Sequence, residues 1–169
     1  MKKLLLSLLY LFVVMGMEAQ TSSRLSGINQ PKAGQRISFN YINNDGPLAN
    51  RDTLSAVIYM YQDYVWNVDD VTLQKKGKNQ WHGEYQLPSD CAFFALLMRA
   101  GDINNRVADN NDANGGYVYM TSKADGTALP GGYAAFATFR CPKYFSITNY
   151  YTNFCISDEA EMMWLNKEA

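Results

Sequence analysis

The chain has 169 residues with 15 Lys and Arg, 16 Asp and Glu and one His, for a formal net charge of −1 at pH 7. That balance supplies no basic surface to track phosphates, so nucleic acid is excluded as an expected partner. The length suits one domain, large enough to bury a core without help from metals or disulfides.

The chain opens with Lys2 and Lys3, an apolar run from Leu4 to Met15 and a short segment ending at Ala19. That is the layout of a secretory signal peptide. The run is shorter than the ~20 residues needed to span a bilayer. Residues 1–19 are therefore expected to be removed, leaving Gln20 as the mature N-terminus and no membrane span. No cysteine lies near that point to carry a lipid. The expected destination is the periplasm or the exterior of the cell envelope.

Residues 20–32 are polar and read as a flexible leader, and a β-sandwich is expected over 33–141. Alternation begins with Ile37, Phe39 and Tyr41 on one face of a strand. A turn-rich stretch follows at 43–50. In the next strand Leu54, Ala56, Ile58 and Met60 oppose Ser55, Val57, Tyr59 and Tyr61. A strand from Val65 is expected to break or bulge near Asp69–Asp70. Its hairpin partner places Trp81, Tyr85 and Leu87 opposite His82, Glu84 and Gln86. The segment Ala92–Ala100 is apolar on both faces, which marks a central strand covered on both sides or one near a packed neighbour. A loop rich in Asp, Asn and Gly follows, then a strand near Tyr117. A last strand is expected at Gly132–Arg140 (GYAAFATFR). Seven or so short antiparallel strands with regular turns suggest a mainly β, immunoglobulin-like sandwich. Residues 142–169 form a C-terminal extension, with a helix expected from about Ser157.

Three cysteines, Cys91, Cys141 and Cys155, lie in what should be an oxidising compartment. A Cys141–Cys155 bridge is one reading, and three small buried apolar residues is the preferred one. No C-x-x-C is present, so the usual dithiol redox centre is lacking. The lone His82 has no second histidine beside it for a transition-metal site. Asp102, Asp109, Asp112 and Asn114 offer the oxygen ligands that Ca²⁺ takes. Thr121 stands where an EF-hand would need its bidentate Glu, and turn residues bonding their own backbone is the preferred reading. No metal and no cofactor is expected. No Ser or Cys nucleophile has a recognisable base partner, so an enzyme is not expected.

Two binding surfaces are expected instead. Tyr61, Tyr64 and Trp66 at a strand end have the shape of a site that stacks on a sugar or clamps an extended peptide, or of a core or cross-strand packing row. Met162, Met163, Trp164 and Leu165 give the C-terminal helix an apolar surface that needs a cover. The cover is the sandwich itself, a helical partner domain or a second copy.

The run from 33 to 102, with DNNDANGGYVYM and GGYAAFATFR, resembles the N-terminal β-sandwich of large envelope thioredoxin-like proteins of Gram-negative anaerobes. In that family a segment similar to FCISDEAEMMWLNKEA leads into a helical region, and the thioredoxin domain comes last. The present chain stops before such a domain. The resemblance therefore implies a non-catalytic accessory module, or a truncated copy of one, and not redox activity. A second resemblance, over about residues 54–119, is to the starch-binding modules of bacterial amylases, and implies sugar stacking on exposed aromatics.

Overall fold

The computed structural model describes residues 23–102, 105–111, 115–140 and 158–169. The expected signal peptide, Cys141, Cys155, Asp112 and Asn114 lie outside the described residues.

The fold is mainly β and antiparallel. Eight strands run in chain order: β1 (Leu25–Ser26), β2 (Arg36–Ile42), β3 (Ser55–Gln62), β4 (Val65–Gly77), β5 (Gln80–Gln86), β6 (Cys91–Ala100), β7 (Val107–Asp109) and β8 (Tyr117–Met120). Among the described residues two helices follow, α1 (Gly132–Arg140) and α2 (Asp158–Glu168). The strand order is β1-β2-β5-β4-β3-β6-β7, with β8 also paired to β6. The sheet curls on itself because β4 serves two neighbours. Its Val65–Thr72 half pairs with β3, and its Leu73–Gly77 half pairs with β5. One layer is thus β1-β2-β5 and the end of β4. The other is the start of β4 with β3, β6 and the β7/β8 edge. This is the immunoglobulin-like division of strands, with one long strand running through both layers.

Two tight turns set the register. Asp63 and Tyr64, both at positive φ (44° and 61°), join β3 to β4 in the primed-turn geometry that matches strand twist. Asn79 at φ 58° closes the β4–β5 hairpin. The irregularity in β4 falls between Lys75 and Gly77, not at Asp69–Asp70, because the ladder changes register beside that turn.

The inner faces meet as one core. Phe39 and Tyr41 from β2, Trp81 from β5, Ile58 and Met60 from β3, and Phe94, Leu96 and Met98 from β6 are all buried in it. Phe39 and Tyr41, Ile58 and Met60, and Trp81 each come from a face that alternation groups together, whereas β6 offers no alternation to choose between its two apolar faces. The layers are also tied by one buried carboxylate. Asp109, 5 % exposed, accepts hydrogen bonds from Tyr41 (2.6 Å) and Tyr117 (3.1 Å), and Arg24 reaches the same oxygen at 3.5 Å.

The structure corrects two expectations. Leu25 and Ser26, inside the expected flexible leader, pair with Tyr41 and Asn40, and Leu25 joins the core. The strands accordingly run from Leu25 to Met120 rather than over 33–141. Gly132–Arg140 is a helix, not the closing strand. Its three alanines favour helix, and Gly131 at φ 88° redirects the chain just before it. α1 lies on the outer face of the β3–β6 layer. That explains why β6 is apolar on both faces: Phe94 and Leu96 face the inner core, and Phe93 and Ala95 face α1.

Candidate functional site

The outer face of the second layer is built from a row of aromatics. Cross-strand pairing lines up Trp66 of β4 with Tyr61 of β3, Phe93 of β6 and Met120 of β8. Phe139 of α1 closes the row from above: its ring is stacked on Trp66 at 5.3 Å and 27°. The Tyr61 ring lies 4.8 Å from Trp66. Trp66 and Tyr61 therefore serve mainly as packing beneath α1. Of the three residues expected to form a stacking surface, only Tyr64 stands free of that cluster. It sits at the tip of the β3–β4 turn, 57 % exposed, with its ring edge-on to Tyr61 at 6.2 Å.

The C-terminal helix forms a second layer on α1. Trp164 stacks on Tyr133 at 5.7 Å and meets Phe136 edge-on at 4.9 Å. One turn later, the Glu168 carboxylate accepts hydrogen bonds from the backbone N–H groups of Gly131, Tyr133 (3.0 Å) and Ala134 (3.3 Å). Those are donors that the start of a helix leaves unsatisfied, and a carboxylate there also meets the positive end of the helix dipole. The tail thus folds back on its own molecule through Trp164 and Glu168, with Leu165 half-buried. Met162 and Met163 are left outside, 55 % and 51 % exposed. Of the four residues expected to make one apolar surface, only Trp164 and Leu165 are thus covered, at least in part.

Between these elements lies a hollow of about 260 Å³, lined by Tyr64, Lys123, Leu129, Pro130, Tyr133, Lys167 and Glu168. It shares Ala128 and Tyr133 with a cleft of about 550 Å³ that extends past Lys32, Thr121 and Asp125. Lys167 Nζ stands 4.4 Å from the Trp164 ring centre and 5.7 Å from that of Tyr133. Tyr133, Lys123, Lys167 and Glu168 were not singled out in the sequence. The LPGGY turn hints that Tyr133 begins a new element, but no local pattern places it opposite Tyr64.

The other expected residues have structural partners. Asp109 is occupied in the core, and Asp102 accepts a hydrogen bond from the Asn105 N–H at 3.0 Å. They do not come together: among the described residues no group of three or more His, Cys, Asp or Glu is arranged to hold a metal. His82 lies between Asn40 (3.0 Å) and Glu84 (3.3 Å) on the outer face of the first layer. The bond with His82, and then that with Arg36, holds the Glu84 carboxyl below its ordinary range. Cys91 is buried, and burial pushes its thiol up to about 12, so it carries no thiolate at neutral pH. No helix among the described residues is long and apolar enough to cross a membrane.

Comparison with protein-family models finds no match, and comparison with curated proteins finds no relative.

Proposed function

We propose that this chain is a non-catalytic exported interaction module that acts by protein contact through its C-terminal helix. The observation that carries the reading is the two-sidedness of α2. One side is latched to α1 by Trp164 and Glu168, which fixes the helix in place. The other presents Met162 and Met163 to solvent. Burying such side chains is worth about 1.5–3 kcal/mol each, and methionine adapts readily to a facing surface. A helix held rigidly from behind loses little freedom when a partner covers its front. The role agrees with that of the accessory module in the envelope thioredoxin-like proteins that the sequence resembles. The partner is a helical protein surface or a second copy of the chain.

Photo-crosslinking tests this in cells that make the protein. A photoreactive residue at position 163 is expected to give one discrete adduct, which Met162→Glu abolishes. The same probe at Lys78, in the β4–β5 turn, should give none. No adduct from position 163, together with a monodisperse monomer in sedimentation, would overturn the reading.

A further inference from the structure

The hollow beside Tyr64 is separate from the methionines, and its chemistry points to a small ligand rather than a protein. We propose that it binds an anionic saccharide, a sugar chain carrying carboxylate or sulfate groups, with a ring laid on Tyr64 and the acid group at Lys123 and Lys167.

The first reason is Tyr64 itself. Its position in a primed turn, at φ 61°, favours Asn, Asp or Gly and strains a bulky side chain. The core does not require the ring, which is 57 % exposed and touches Tyr61 only edge-on. A tyrosine kept against local preference and aimed outward beside a concavity is placed as a stacking platform. The second reason is charge. Lys123 and Lys167 line the hollow, and neither forms an ion pair among the described residues. The one carboxylate that shares the hollow, Glu168, has its oxygens engaged by the N–H groups of α1. An incoming acid therefore meets two cations and a carboxylate that is already satisfied. The third reason is shape. The exposed Pro130, backed by the buried Leu129, supplies an apolar edge for the C–H face of a sugar, and Tyr133 joins the hollow to the larger cleft. That cleft, at about 550 Å³, lies within the ~300–1,000 Å³ of ordinary ligand sites and can take neighbouring sugar units. Two lysines on a chain with a net charge of −1 do not make the basic track that a nucleic acid needs, so a sugar is favoured over an oligonucleotide.

The test is titration calorimetry on the purified chain with an oligogalacturonate, a neutral malto-oligosaccharide of equal length, inorganic sulfate and a short single-stranded oligonucleotide. The oligogalacturonate is expected to bind best. Tyr64→Ala and Lys123→Glu should each weaken it about tenfold while leaving the circular dichroism of the chain unchanged. Raising the salt concentration should weaken it further. The proposal is overturned if the acidic sugar does not bind, if both variants bind it as the parent does, or if the neutral sugar, sulfate or oligonucleotide binds as well as or better than it.

Discussion

The two faces of the β3–β6 layer are both apolar, yet they are built on different plans. The inner face interlocks aliphatic and aromatic side chains contributed by strands far apart in the chain. The outer face is a row of rings covered by α1, and α1 is in turn covered by α2. The inner face is common to the whole sandwich. The outer one depends on a short helix, held in turn by Trp164 and Glu168 of α2. The two faces thus divide the structural work: the inner face joins the two layers, and the helices covering the outer face form the surface above β3 and β6.

The largest effect should come from breaking the inner face. Phe39→Ala removes a fully buried ring between the layers, and should cost about 3–5 kcal/mol in denaturant unfolding with loss of the whole domain in one transition. A separate early transition in this variant would mean that the layers do not share one core.

Next is the buried carboxylate. Asp109→Ala leaves the Tyr41 and Tyr117 hydroxyls without their acceptor, at about 1–3 kcal/mol for each. Asp109→Asn keeps an acceptor and should lose less. Equal loss in the two variants, measured by thermal unfolding, would show that side-chain bulk and not hydrogen bonding matters at this position.

Alkaline pH should act on the same face. Burial pushes the Cys91 thiol from its ordinary 9.0, and the Tyr119 hydroxyl from 10.0, up to about 12. Burial, together with Asp109, holds Tyr41 and Tyr117 well above the usual tyrosine range. The native state thus keeps protons that the unfolded chain has lost above about pH 9, so stability is full below that pH and falls as pH rises toward 12. Denaturant midpoints measured from pH 7 to pH 11 check the sign. A midpoint that holds steady throughout would mean these groups are not buried as described.

Much of the inner face was legible in the sequence and little of the outer. Ile37, Phe39 and Tyr41 alternate cleanly because one side of β2 faces the core and the other faces water. The double apolar character of β6 correctly signalled a cover on each side. The identity of the outer cover was missed because Tyr133–Phe139 is a short run, apolar at nearly every position, and such a run does not distinguish a buried strand from a helix by periodicity. The helix preference of its alanines was the available signal. Trp66 could not be assigned as core or surface without knowing that a helix lay over it. The hollow beside Tyr64 joins the β3–β4 turn, the 123–130 segment and both helices, and such long-range meetings leave no periodic trace.

The smallest energetic effect bears most directly on the separation of the two faces. Glu168→Gln removes the charge that caps α1 and should cost about 1 kcal/mol, confined to the outer layers. Native-state hydrogen exchange on the whole chain reads this residue by residue. The account predicts faster exchange of the amides in α1 and α2, with β2, β3 and β6 protected as in the parent. Equal acceleration in the helices and the inner strands, or no change in either, would contradict it.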